Sequence, residues 1–169
     1  MADDLHIRAL SRADLPALSP ILDGTGLFPP EMLPDMAEPF LSGSATHLWL
    51  VICDGEAVLG FAYVEPERIT DNTYNLLAIA VSPARQNGGV GRALVGAVER
   101  RLAETGGRIL LVETSSLAKY EGTRAFYDGL GFAREARIRE FYAEGEDKIV
   151  FWKKLQGRQT GPFAGVQKA

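Results

Sequence analysis

Ser82-Pro83-Ala84-Arg85-Gln86-Asn87-Gly88-Gly89-Val90-Gly91-Arg92 is the stretch from which the fold of this chain is read. Ahead of it, residues 74–81 (Tyr-Asn-Leu-Leu-Ala-Ile-Ala-Val) carry no charge, as a buried strand would. Behind it, Val90, Leu94, Val98 and Leu102 recur every four residues, joined by Val95, and predict an amphipathic helix to about Glu104. Strand, glycine-bearing turn and helix start together make a holder for phosphate oxygens. The N–H groups of a first helical turn lack intrahelical partners, and the helix dipole favours an anion there. Glycine lets the backbone approach that anion closely.

Working outward, Leu5–Ala9 reads as a short first strand. Ser11 is a fitting N-cap for a helix carrying Leu15, Leu18, Ile21 and Leu22 and closed by Gly24, although Pro16 and Pro20 interrupt it. Pro29 and Pro30 open a second helix with Met32, Leu33, Met36, Phe40 and Leu41 at helical spacing. Residues 46–53 form a strand, Asp54-Gly55 signals a type I′ hairpin, and residues 57–64 return antiparallel. A turn at 69–72 leads into strand 74–81. After the long helix, Gly106-Gly107 stops it, and residues 108–114 make a strand parallel to 74–81. A short helix over 121–129 and two last strands, 132–143 and 147–155, complete a mixed, mostly antiparallel seven-stranded α+β sheet with flanking helices. Residues 1–155 read as one domain and 156–169 as a polar tail.

Composition bounds the function. At 169 residues, 46% hydrophobic and 24% charged, one soluble globular domain is expected. The acidic Met1-Ala2-Asp3-Asp4, with no apolar run behind it, does not read as a secretory leader, and no run approaches the roughly 20 residues of a membrane span. The single Cys53, at the end of an apolar run, fits a core position in a protein of the reducing cytoplasm. Two distant histidines and one cysteine give no zinc spacing, so no metal is expected. A net charge of −4 gives nucleic-acid binding no electrostatic support. A polyanionic ligand would need a local positive patch, and Arg85 and Arg92 flank the turn where it would lie.

Three ligands compete for the turn. A nucleotide-triphosphate loop needs Lys-Ser or Lys-Thr after the last glycine, and Arg92-Ala93 stands there. A dinucleotide fingerprint finds Gly89 and Gly91, and Glu113 at a suitable distance. Leu94 occupies the third glycine's place, however, and the lead-in over 82–88 is too long. The third ligand is coenzyme A. Gln86-x-x-Gly89-x-Gly91 shortly after a strand resembles the acyl-CoA signature of the GNAT N-acyltransferase superfamily. Thr123-Arg124-Ala125-Phe126-Tyr127-Asp128-Gly129-Leu130-Gly131-Phe132 resembles its second signature, and the resemblance runs over 5–155 in the family's order of elements. The run Lys119-Tyr120-Glu121-Gly122-Thr123, with Tyr120 where many members carry Asn, is similar to a less characterised branch.

The resemblance implies an acetyl-CoA-dependent N-acetyltransferase working by direct attack in a ternary complex. Backbone N–H groups of Gln86, Asn87, Gly88, Gly89, Val90, Gly91 and Arg92 would hold the pyrophosphate. The pantetheine arm would pair with Ile79, Ala80 and Val81 where the fourth and fifth strands part, with a backbone N–H, that of Val81, for the oxyanion. Tyr127 would be the general acid for the departing thiolate. For the amine's proton, Glu113 at a strand end is the first candidate and Glu65 the second; Tyr142 and Asp147 would border the acceptor. The acceptor expected is a small-molecule amine. A protein N-terminus is the alternative, favoured by the pair Phe141-Tyr142, and a non-catalytic acyl-CoA sensor is a further one. The same resemblance leaves room for a homodimer and implies neither a nucleic-acid nor a membrane partner.

Overall fold

In the computed structural model, which describes residues 4–156, β1 (Leu5–Ala9) leads through a 3-10 turn at Arg12–Asp14 to α1 (Leu15–Thr25) and α2 (Leu33–Leu41). There follow β2 (Leu48–Asp54), β3 (Ala57–Pro66), β4 (Thr73–Val81), α3 (Val90–Glu104), β5 (Ile109–Ser115), α4 (Glu121–Gly129), β6 (Ala133–Ala143) and β7 (Glu146–Lys154). The strands make one sheet in the order β1-β2-β3-β4-β5-β7-β6. Only β4 and β5 run parallel; every other neighbouring pair is antiparallel. This is the mixed seven-stranded α+β sheet expected from the sequence.

Strand alternation splits the core into two layers. On one face Leu50, Ile52, Val64, Leu76, Leu110 and Val112 meet the α3 stripe of Val90, Leu94, Val95, Val98 and Leu102, together with Tyr127 and Phe132. On the other, Trp49, Val51, Phe61, Tyr63, Ala78 and Ala80 meet Leu18, Ile21 and Leu22 of α1 and Leu33 and Ala37 of α2. Each fully buried aliphatic of this kind is worth about 1.5–3 kcal/mol. That is enough to carry Pro20 inside α1, where an interior proline costs about 3 kcal/mol.

Two local expectations are corrected. α1 does not close at Gly24 but at Gly26, whose φ of 64° is the left-handed cap. Gly24 lies inside the helix for a packing reason: a Cβ there would come within 2.9 Å of Pro83 Cγ, so it seats α1 against the start of the glycine turn. The β2–β3 hairpin is not type I′ either. That turn needs two positive φ angles, and of Asp54, Gly55 and Glu56 only Gly55 (56°) has one. The expected polar tail lies, from residue 157 on, outside the described residues.

Candidate active site

The site begins with a fault in the sheet. β4 pairs with β5 only from Thr73 to Leu76, whereas its pairing with β3 continues to Val81. At the point of separation the β3–β4 register slips, so that Leu77 is the extra residue and stands 46% exposed. Beyond it the β5 side of β4 has no strand partner. The Val81 carbonyl accepts a hydrogen bond from Gln86 Nε2 (3.0 Å), and the Ser82 N–H donates to Leu59 O (2.7 Å). Strand alternation therefore turns the backbone groups of Val81 and Ile79 away from β3 and into the gap. Gly60 makes this alignment possible: a Cβ there would stand 2.5 Å from Ala80 O.

The glycine turn closes the top of the gap. After a 3-10 turn at Pro83–Arg85, Asn87 (φ 62°) and Gly89 (φ 82°) are both left-handed, and Gly89 is the N-cap of α3. Gly89 O accepts from the Ala93 N–H, and no side chain caps the helix, so the N–H groups of its first turn are unclaimed. Backbone donors of this kind around a left-handed residue form an anion nest. Arg85 does not point there; it pairs with Asp54 at 3.2 Å and ties the turn to the end of β2. Arg92 does line the cleft.

α4 forms the wall on the α3 face of the sheet. Arg124 holds its N-terminal end by donating to Ser115 O (2.7 Å) and Leu117 O (2.9 Å), where β5 stops. Two residues on, Phe126 lies over Gly91, where a Cβ would meet its Cζ at 3.3 Å; the glycine turn and α4 thus approach because residue 91 has no side chain. Tyr127 is 2% exposed, packed edge-on or tilted against Phe126, Phe132 and Phe151. Its hydroxyl has no hydrogen-bond partner among the described residues, and burial pushes the phenol well above its ordinary value, so it stays protonated. The cleft of about 440 Å³ enclosed in this way is lined by Ile79, Ala80, Val81, Gln86, Asn87, Gly89, Gly91, Arg92 and Tyr127, and also by Gly122, Thr123 and Phe126.

Of the residues expected from the sequence to bind the cofactor, Gly88 and Val90 are not in that lining. Val90 is a core side chain, 2% exposed, that can offer only its backbone. Gly122, Thr123 and Phe126 were not assigned. The second motif contains two of them, but that α4 leans over the turn is a tertiary fact carried by Gly91. Tyr120, where many family members carry Asn, is the N-cap residue of α4 and is partly exposed.

The opposite face of the sheet carries a different set. Glu113 lies across β5 from the Tyr127 side, where Lys148 Nζ pairs with its Oε2 at 3.1 Å. Lys148 is itself buried and lies 3.6 Å from the Phe141 ring centroid. The aromatic pair is displayed by a large bulge. Ile138 pairs with Lys148 and Ala143 with Glu146, so residues 139–142 stand opposite Asp147 alone. Asp147 is consumed in holding that bulge: its carboxylate accepts from Arg137 Nε and from the Glu140 N–H (2.8 Å), and Glu140 is left-handed (φ 50°). Its backbone is tied to Ser116 by hydrogen bonds of 2.9 Å in both directions, one to the Ser116 hydroxyl. Burial, together with the charges of Glu113 and Glu146, raises the Tyr142 phenol.

The cleft fits acetyl-CoA on three counts: an anion nest at an uncapped helix start, an unpaired strand edge, and a cradle at Gly91 that a side chain would fill. A split parallel pair with these features defines an acyl-CoA-dependent acyltransferase. A model of the acetyltransferase (GNAT) domain family matches residues 44–134, and the chain belongs to that family. No curated protein matches it. Among solved structures, it is 33% identical to a Desulfovibrio desulfuricans protein described as an acetyltransferase of the GNAT family, over 90% of this chain and 99% of that one, with a TM-score of 0.82. The ribosomal-protein-S18-alanine N-acetyltransferase of Escherichia coli shares the fold at 23% identity (93% and 99% covered, TM-score 0.73). So does the aminoglycoside 6′-N-acetyltransferase of Enterococcus faecium at 18% (90% and 98%, 0.75). The protein is therefore an acetyl-CoA-dependent acetyltransferase.

Proposed function

We propose that the chain transfers the acetyl group to a primary amine of a small molecule by direct attack, with Tyr127 as general acid. The observation that carries this reading is the Tyr127 hydroxyl, unclaimed by any described residue in the wall of a cleft shared by the glycine turn and the open edge of β4. When bound, acetyl-CoA supplies an activated thioester. The chain's part is to orient it and to manage protons. Backbone N–H groups from Gln86 to Arg92 hold the pyrophosphate, and Ile79 and Val81 align the pantetheine amides as a missing strand would. The Val81 N–H, turned into the gap, supports the carbonyl oxygen as charge develops on it. Tyr127, kept protonated by burial, donates to the departing sulfur.

The amine approaches from the other face. There the helix cover of α1 and α2 ends near Ala78, and the Phe141-Tyr142 bulge rises beyond β7. The strip between spans β4, β5 and β7, about 10 Å at ordinary strand spacing, which suits a compact amine. Glu113, with Lys148, lies on this strip. A peptide N-terminus is the second reading, favoured by the exposure of Phe141 and Tyr142 at its rim. Labelled acetyl-CoA offered to a metabolite set and to a peptide set separates the two: label on small amines is expected, and label confined to peptide N-termini overturns the acceptor class. We place the protein in the cytoplasm on its one buried, unpaired cysteine, Cys53; no described helix is long and apolar enough to cross a membrane. β6, exposed along its whole length at the sheet edge, leaves room for a homodimer.

A further inference from the structure

The reaction just proposed, on which this inference rests, has one proton to export. A primary ammonium carries three N–H protons and the amide product one. Of the two lost, one ends on the thiol, by way of Tyr127, and the other must reach solvent from the side where the amine enters.

Glu113 and Glu65 both stand on that side, and they differ in their commitments. Glu113 is paired with Lys148, whose side chain is 10% exposed, so protonating Glu113 would leave a buried ammonium without its counter-charge. Glu65 faces a titratable neighbour instead. Its Oε1 accepts a hydrogen bond from the Tyr63 hydroxyl and lies 3.6 Å from His47 Nε2, while His47 Nδ1 lies 3.4 Å from the same hydroxyl. Tyr63 is held rigidly, its ring stacked on Trp49 with centroids 4.2 Å apart. The group stands at the fault in the sheet: Tyr63 pairs in register with Ala78 and Glu65 with Asn75, bracketing the bulged Leu77 where β4 leaves β5. Its far end is open to solvent, since His47 and Glu65 line a surface cavity of about 440 Å³ with Arg68 and the loop that follows α2. Neighbouring Glu67, on the same face, is already engaged, accepting from Asn75 Nδ2 at 2.9 Å.

We propose that Glu65, Tyr63 and His47 are the exit route for the acceptor's proton. Glu65 takes one proton from the ammonium, directly or through one water, and the freed nitrogen lone pair attacks the thioester carbon as its bond to sulfur breaks. The proton on Glu65 passes across the Tyr63 hydroxyl to His47, and from His47 to bulk water. The nitrogen's second surplus proton returns to Tyr127, directly or through one water, after Tyr127 has protonated the sulfur, so each group ends the cycle as it began it. Tyr127 and this route lie on opposite faces of one sheet, so the leaving sulfur and the entering nitrogen are served from opposite sides.

The test uses the full chain, acetyl-CoA, and glycinamide, spermidine and an alanine-initiated tetrapeptide as amine probes, with CoA thiol release as the signal. Glu65→Gln and His47→Gln should lower kcat/KM about tenfold to a hundredfold near neutral pH. The loss should shrink toward high pH, where the amine is already free, with acetyl-CoA affinity by calorimetry unchanged. Glu113→Gln should show no such pH-dependent loss. A loss equal at all pH values, or a pH-dependent loss in Glu113→Gln instead, overturns the route. No thiol release from the unmodified protein with any probe removes the transferase reading, and the route with it.

Discussion

Replacing Tyr127 by Phe removes one oxygen from the centre of the proposed machinery, and the structure says what else should change. The ring packs on Phe126 at 5.1 Å and on Phe132 and Phe151 at 5.5 Å, contacts a phenylalanine keeps in full. The hydroxyl has no partner among the described residues, so its removal orphans none, and Tyr127 lines the open cleft. The Phe variant should therefore be about as stable as the parent. Loss of a general acid lowers turnover by about 10²–10⁴, or roughly 2.7–5.5 kcal/mol of barrier. Because burial raises the phenol, the wild-type acid limb lies beyond the working range, and the loss should be flat from about pH 6 to 9. The assay is CoA release under saturating acetyl-CoA, with its dissociation constant measured separately. Turnover within about threefold of wild type, or a loss traced to weaker acetyl-CoA binding, refutes Tyr127 as the acid.

Further outcomes follow from particular contacts. Asp14, buried and bonded first by the Arg8 guanidinium and then by Ser11, has its carboxyl lowered to about 2. A lowered carboxyl stabilises above its unfolded value and loses that contribution as pH falls through about 2, so acid unfolding of Asp14→Asn should lack a term of about 2 kcal/mol between pH 4 and 2. Gly60→Ala must displace the Ala80 carbonyl; we expect a loss of about 1–3 kcal/mol in denaturant unfolding together with weaker acetyl-CoA binding. Asp147→Ala frees the Glu140 N–H and Arg137, and should raise the KM for the amine several-fold while leaving the acetyl-CoA dissociation constant unmoved; equal effects on both would show that Asp147 merely holds the fold.

What was legible in the sequence was local. The charge-free run before the turn, the stripe of Val90, Leu94, Val98 and Leu102, and the motif around Tyr127 each declare themselves within about fifteen residues. β4, α3 and α4 fall where these patterns place them. What was hidden depends on register between distant segments. That Lys148 neutralises Glu113 follows from the β5–β7 pairing, and that four residues bulge over Asp147 follows from a register shift no propensity encodes. His47, Tyr63 and Glu65 lie on separate or alternating positions and meet only when β2 and β3 pair. Gly24 misled for the same reason: a glycine near a helix end usually caps it, and here it makes room for Pro83.

Calorimetric titration of acetyl-CoA into the protein and into Gly91→Leu tests the central claim most directly. The parent should bind one equivalent with a dissociation constant at or below about 100 μM, worth about 5.5 kcal/mol. In Gly91→Leu the side chain enters the space between Phe126 and the turn, and binding should weaken at least about tenfold, or 1.4 kcal/mol, with the circular dichroism spectrum retained. No heat from the parent at high micromolar acetyl-CoA, or equal affinity in the folded variant, would contradict the assignment of this cleft.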